Sequence, residues 1–176
     1  MSGVGFIGLG IMGEGMAARL LSEGVAGTDD KPLVVWNRSS EKCTALADKF
    51  PDKNVVIKTT AKDVVEASTV SYSMLSTPEA SKAVFEAEAG TLAGISAGKC
   101  IVDCATLAEA DMQSMNQAVV EKGGYVAVPS GTHRYGDAGF FANLALFLEI
   151  VLIRVPAANS SKHLYLDRKF PRQLAR

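Results

Sequence analysis

A glycine-rich turn directly after an apolar stretch constrains the fold more than any other feature of this chain. Residues 4–17 read VGFIGLGIMGEGMA, so Gly8, Gly10 and Gly13 form G-x-G-x-x-G between a strand pattern and a helix pattern. Glycines at this spacing allow a tight turn, close approach of the backbone to a pyrophosphate, and close packing of helix on strand. The motif predicts an anion site at the helix start, where Ile11 and Met12 follow. A purely structural glycine turn is the alternative.

Apolar runs of strand length alternate with segments of helical spacing along the first 128 residues. Such alternation predicts an α/β fold, a Rossmann-like, doubly wound and mostly parallel sheet, because parallel neighbours need crossover connections. Strands that are apolar throughout indicate a sheet covered by helices on both faces. We expect a dinucleotide-binding domain at residues 1–141 and an atypical tail, without clear periodicity, at 142–176. The predicted strands span residues 4–8, 33–36, 55–58, 69–74, 99–103 and 125–128, and the helices 11–23, 41–50, 62–67, a segment after Pro78, and 109–122.

The end of the second predicted strand indicates which dinucleotide is bound. It reads LVVWNRSS, which puts Asn37, Arg38 and Ser39 where an NAD site would place an acid against the ribose 2′-hydroxyl. An arginine with flanking hydroxyl and amide groups offers donors and positive charge to a 2′-phosphate instead. The pattern favours NADP(H) over NAD(H). The alternative is that Ser39 caps the next helix and Arg38 is a solvated surface residue.

Four ordered segments resemble the β-hydroxyacid dehydrogenase superfamily, which includes 3-hydroxyisobutyrate and 6-phosphogluconate dehydrogenases. They read GFIGLGIMGEGMA, VVWNRS, SMLSTPEA and IVDCATLAEADM, and the similarity looks closest to the glyoxylate/succinic semialdehyde reductase branch. The resemblance implies that Leu75 and Ser76 line the nicotinamide side of the cofactor and that Thr106 lies near cofactor and substrate. An ordinary helix start is the alternative for Ser76, Thr77 and Pro78.

The chain departs from this family at three places. Ala105 stands where the family's DxST segment has a serine, and the substrate loop is one residue shorter before Ser130. The resemblance still implies that Ser130, Gly131 and Thr132 offer donors to a substrate carboxylate. The family's G-x-x-K-x-x-x-N segment, whose lysine moves the proton during hydride transfer, has no counterpart, so we predict no catalytic residue in this chain.

Composition excludes several classes of function. The formal net charge is -1 and the pI about 6.1, which gives no basic field for nucleic acid. The three cysteines form no CxxC pair and predict buried thiols in a reducing compartment, with neither disulfides nor a metal site. The longest apolar run, residues 140–153, is interrupted by Asn143 and Glu149 and is too short for a membrane span. We expect a cytoplasmic protein whose partner is a small molecule.

Two functional hypotheses remain open at the level of sequence. The first is an NADPH-dependent oxidoreductase acting on a small aldehyde or hydroxy acid such as glyoxylate or succinic semialdehyde. The second is a truncated, catalytically inactive NADP-binding module that lacks the lysine-bearing helical domain. The apolar run at residues 140–153 adds the expectation of self-association into a homo-oligomer.

Overall fold

A computed structural model of the chain describes residues 3–105 and 109–127, which form alternating strands and helices. Every predicted boundary within these residues lies within one residue of the observed one. A short 3₁₀ turn, Leu92–Gly94, precedes the fifth strand. The strands are β1 Gly3–Ile7, β2 Leu33–Trp36, β3 Val55–Ile57, β4 Ser68–Ser73, β5 Cys100–Asp103 and β6 Tyr125–Ala127, and the helices are α1 Ile11–Ser22, α2 Glu41–Lys49, α3 Ala61–Glu66, α4 Pro78–Glu86 and α5 Glu109–Glu121.

The six described strands form one parallel sheet in the order β3-β2-β1-β4-β5-β6. From β1 the chain adds β2 and β3 on one side, and it then returns to add β4, β5 and β6 on the other side. The direction of strand addition therefore reverses between β1 and β4, which are paired neighbours. In open α/β sheets ligands bind outside the carboxyl ends of the strands at such a switch point. The predicted Rossmann-like doubly wound sheet is therefore confirmed.

Helices cover both faces of the sheet, and each face has its own apolar core. On one face Phe6 and Tyr72 stack with ring centroids 6.2 Å apart, beside Leu20 of α1 and Leu46 of α2. The opposite face packs Ile7, Ile101 and other strand residues against α3 and α4. All three cysteines are free and buried, as the sequence predicted: Cys43, Cys100 and Cys104.

Strand β4 departs from the expectation that every strand is apolar throughout. It reads STVSYS, and its three serines, Ser68, Ser71 and Ser73, are all buried. Close packing accounts for small residues here, because a Cβ at Gly5 on the neighbouring strand β1 would lie 2.9 Å from the Ser68 hydroxyl and would also crowd Ser71. The pairing of β1 with β4 therefore places small side chains around Gly5.

Candidate functional site

Four loops meet at one edge of the sheet because all of its described strands are parallel. They follow β1, β2, β4 and β5, the strands around the switch point. Backbone hydrogen bonds join the loops: Gly8 N–H donates to Trp36 O at 3.0 Å, and Met74 N–H donates to Ile7 O at 2.9 Å. Most of the residues predicted to contact a cofactor are therefore brought together at this edge.

Two glycines of the motif are required by the fold itself. Gly8 has φ +95°, and a Cβ there would collide with the Met74 carbonyl and lie 2.9 Å from Leu75 Cδ2. A Cβ on Gly13 would collide with the Gly8 carbonyl oxygen. The structural alternative thus accounts for both of these glycines, as tight-turn and helix-packing positions.

Gly10 differs from these two glycines. Its φ of -69° is accessible to any residue, and no atom lies within 4 Å of a Cβ built on it. The space that a side chain would occupy at Gly10 is therefore empty. This is the position at which a dinucleotide fold needs the backbone to approach a pyrophosphate. The open cradle at Gly10 therefore fits a bound dinucleotide, whereas the turn geometry alone leaves the glycine unexplained.

The amino end of α1 presents backbone donors beside this cradle. Gly10 is the N-cap and supplies no side-chain cap, and the first intrahelical bond runs from Glu14 N–H to Gly10 O at 2.9 Å. The preceding N–H groups of Ile11, Met12 and Gly13 have no partner within the helix, as at any helix start. Ile11 is 93% exposed and Met12 is half-buried. These amides are suited to an anion such as a pyrophosphate.

The loop after β2 is tied to the glycine turn by the side chain of Asn37. Its Oδ1 accepts from Leu9 N–H at 2.8 Å, and its Nδ2 donates to Ser39 O at 3.0 Å. Arg38 and Ser39 are exposed, and among the described residues Arg38 takes part in none of the ion pairs. The predicted contribution of the Asn37 amide to a 2′-phosphate site stays a prediction, since both ends of this amide are already hydrogen-bonded within the protein.

Ser39 is not the N-cap of α2, so the alternative interpretation of Ser39 as a helix cap is wrong. The N-cap is Ser40, with φ -62° and ψ -26°, and it makes no side-chain cap bond. A residue already in the helical region cannot turn its hydroxyl toward the free amides as an extended N-cap residue does. The hydroxyls of Ser39 and Ser40 are thus left beside Arg38 without a capping role.

The loop after β4 combines a helix start with exposed groups at the site. Thr77 Oγ1 accepts from Ala80 N–H at 3.2 Å, and Pro78 is the first residue of α4. The helix-start alternative is therefore confirmed for these two residues. Leu75 is half-buried against Gly8, and Ser76 is exposed and takes no part in the cap. The contact of both residues with a nicotinamide, which the family resemblance implies, stays a prediction.

Asp103 is a residue of this edge that sequence reasoning did not single out. It ends β5, is 1% exposed, and accepts from Ala105 N–H at 2.8 Å and from the Ser81 hydroxyl at 3.4 Å. Burial raises the pKa of its carboxyl to about 6, partly offset by these two hydrogen bonds. The signal in the sequence that could have identified it is an acidic residue at the end of the apolar strand segment CIVD.

The predicted site residues Thr106, Ser130, Gly131 and Thr132 lie outside the described residues.

The geometry defines a dinucleotide-binding domain: a parallel sheet in Rossmann order with an open glycine turn at its switch point. Residues 3–145 match the family described as the NAD binding domain of 6-phosphogluconate dehydrogenase. The chain belongs to this family, which confirms the resemblance to the β-hydroxyacid dehydrogenase superfamily.

Individual relatives give a mixed picture of function. The human cytokine-like nuclear factor N-PAC is 33% identical over 144 residues, 81% of this chain and 24% of that protein. A structure titled Psf3 in complex with NADP+ and 2-OPP is 30% identical, with a TM-score of 0.59 over 70% of this chain and 40% of that one. The 3-hydroxyisobutyrate dehydrogenase of Mycobacterium tuberculosis, at 20% identity and a TM-score of 0.60 over 73% of this chain and 40% of that one, shares the fold.

The match to N-PAC covers about a quarter of that relative's length. Among residues 3–105 and 109–127, no helix is long and apolar enough to cross a membrane.

Proposed function

We propose that this chain binds NADP(H) in preference to NAD(H), as the cofactor domain of an oxidoreductase. The carrying observation is the exposed Arg38 at the carboxyl end of β2, free of ion pairs among the described residues and flanked by the uncommitted hydroxyls of Ser39 and Ser40. No carboxylate stands at residues 37–40, where one would repel a 2′-phosphate. The relative solved with NADP+ supports this assignment.

Each part of the nucleotide has candidate residues at the sheet edge. The turn from Gly8 to Gly13 and the first amides of α1 would hold the pyrophosphate, and Arg38 and Ser39 the 2′-phosphate. Leu75 and Ser76 would flank the nicotinamide. When bound, the cofactor supplies the hydride of the reaction, while this chain binds and orients it.

The substrate we propose is a small aldehyde or hydroxy acid of the glyoxylate or succinic semialdehyde type. This rests on the resemblance to that reductase branch at VVWNRS and SMLSTPEA. In the same proposal Thr106 and residues Ser130, Gly131 and Thr132 contact the substrate. The reaction would take place in the cytoplasm, in keeping with three free thiols.

A second candidate is a cofactor-binding module without chemistry of its own. The observation that favours it is the 33% identity to N-PAC, a protein described as a nuclear factor. Both candidates share the nucleotide site and differ in turnover. They are therefore separated by activity, and not by binding.

The experiment is a pair of titrations of the purified chain with NADPH and NADH, repeated on Arg38→Asp. A charge-assisted bond to phosphate is worth about 1.5–3 kcal/mol, so the wild type should favour NADPH by about ten- to a hundredfold and Arg38→Asp should narrow or reverse this. Lys31→Asp, the same charge change in an exposed residue before β2, is the matched control and should keep the preference.

Equal affinities of the wild type for both nucleotides would contradict the assignment. NADPH oxidation on addition of glyoxylate or succinic semialdehyde then separates the candidates. Turnover by the purified chain supports the oxidoreductase and would overturn the prediction that this chain holds no catalytic residue, whereas binding without turnover supports the module.

A further inference from the structure

Asn37 joins the two loops that the proposed function assigns to different parts of the nucleotide. One end of its amide accepts from Leu9 N–H in the glycine turn at 2.8 Å, and the other donates to Ser39 O at 3.0 Å. In the chain, Arg38 lies between Asn37 and Ser39, which are joined by the second of these bonds. The side chain of Asn37 thus fixes the spacing between the glycine turn and the Arg38–Ser39 loop.

Only an amide side chain of this length can make both bonds. Aspartate in the same place would still accept from Leu9 N–H, but it has no donor for the Ser39 carbonyl and would face that oxygen with a second acceptor. Alanine would lose both bonds and leave the amide of the buried Leu9 unpaired, a loss that costs more than that of an exposed hydrogen bond. Aspartate and alanine therefore remove different bonds of Asn37, so the contribution of each bond can be tested separately.

We propose that Asn37 is a positioning residue that selects the phosphorylated dinucleotide: it holds Arg38 and Ser39 at the distance from the glycine turn that a 2′-phosphate requires. This inference rests on the proposed function and deepens it. It differs from the expectation that the Asn37 amide itself donates to the 2′-phosphate, because here Asn37 acts through its neighbours. Displacing a charged group from its partner by a small distance is enough to lose a charge-assisted bond.

A double-mutant cycle on nucleotide affinity tests the proposal. NADPH and NADH are titrated into the wild type, Asn37→Ala, Arg38→Ala and the double variant. Asn37→Ala should lower the affinity for both nucleotides, because the glycine turn loses its bond to Asn37, and it should lower the affinity for NADPH by about a further tenfold. That additional loss should disappear in the Arg38→Ala background, because the group being positioned is gone. Asn54→Ala, an asparagine bonded to Asp29 before β3, is the matched control.

Amide hydrogen exchange at Leu9 supplies a readout that does not depend on nucleotide. Exchange should be faster in Asn37→Ala and unchanged in Asn37→Asp, which keeps the acceptor. Asn37→Asp should also keep NADH affinity, and it tests the proposal if the alanine variant does not fold. Because its carboxylate would itself repel a 2′-phosphate, only the part of its NADPH loss that disappears in the Arg38→Ala background supports positioning.

Several results would overturn the proposal. These are titrations of Asn37→Ala that match those of Asn54→Ala, a Leu9 amide that stays protected in Asn37→Ala, and an additional NADPH loss that persists undiminished without Arg38. The last would mean that Asn37 touches the nucleotide itself. A wild type without preference for NADPH would overturn the proposed function and this inference with it, whereas the other results leave the proposed function standing.

Discussion

At the scale of single residues, an added Cβ meets no atom within 4 Å at three glycines in or beside α1, which are Gly10, Gly15 and Gly24, and Gly24 has a positive φ. Only Gly10 lies in the glycine turn. We predict that Gly10→Val abolishes dinucleotide binding, because its side chain would fill the space needed by the pyrophosphate. The free energy of unfolding should fall by about 1 kcal/mol, the usual effect of an N-cap substitution.

Gly15→Val is the matched control for this prediction, since it makes the same change at an equally open position of α1. It should retain nucleotide affinity. Both variants are compared by NADPH titration and by urea denaturation. An unchanged titration of Gly10→Val would show that the turn serves the fold alone.

Asp103 makes the folding stability depend on pH. Its carboxyl has a pKa of about 6 in the folded chain, because burial outweighs its hydrogen bonds. The unfolded value is about 3.9. Between these values the folded state binds more protons, so the stabilising contribution of the protonated acid is present below pH 4 and lost as the pH rises to 6.

We therefore predict that Asp103→Asn raises the free energy of unfolding at pH 7 by about 1–2 kcal/mol, since an amide keeps an acceptor for Ala105 N–H without the buried charge. The gain should vanish at pH 4. Urea denaturation of both proteins between pH 4 and 7 measures the difference. A variant that is less stable at pH 7 would mean that the ionised carboxylate stabilises this edge of the sheet.

At the scale of secondary-structure elements, the starts of α2 and α4 form a natural comparison. Thr77 caps α4 with an extended backbone and a bond from Ala80 N–H, whereas Ser40 at the start of α2 makes no such bond. We predict that Thr77→Ala lowers the free energy of unfolding by about 1 kcal/mol, and that Ser40→Ala changes it by a few tenths at most. Chemical denaturation of both variants checks this, and equal losses would contradict the observed caps.

At the scale of the whole molecule, the sequence predicts the sheet because its signals are local. The strand runs, the helical spacing and the G-x-G-x-x-G turn each lie within one strand–helix unit, and the crossover rule then orders them. Contacts between distant segments were beyond this reasoning. The bond from Asn37 to Leu9 and the buried serines of β4 depend on which strands become neighbours, and so does the environment of Asp103. Family resemblance placed the candidate residues at one edge of the sheet, but it did not indicate which of their side chains would bond to neighbouring loops, as Asn37 does.

Position in the sheet should also set local stability across the molecule. Strand β1 lies inside the sheet and is buried at all of its residues, whereas β3 is at the edge among the described strands and has Ile57 exposed. We predict that the amides of β1 exchange only through global unfolding, and that the Lys58 amide, bonded to Val35 O at 2.9 Å, exchanges through local opening of the edge.

Nucleotide binding distinguishes exchange through global unfolding from exchange through local opening of β3. NADPH at about 100 times its Kd stabilises the folded state by about 2.7 kcal/mol, so the β1 amides should exchange about a hundredfold more slowly. The Lys58 amide should be unaffected, because opening of β3 leaves the proposed nucleotide site at β1, β2 and β4 intact. Hydrogen exchange with and without NADPH measures both sets of amides. Equal slowing at Lys58 and in β1 would mean that the whole sheet opens as one unit and that its edge has no separate local motion.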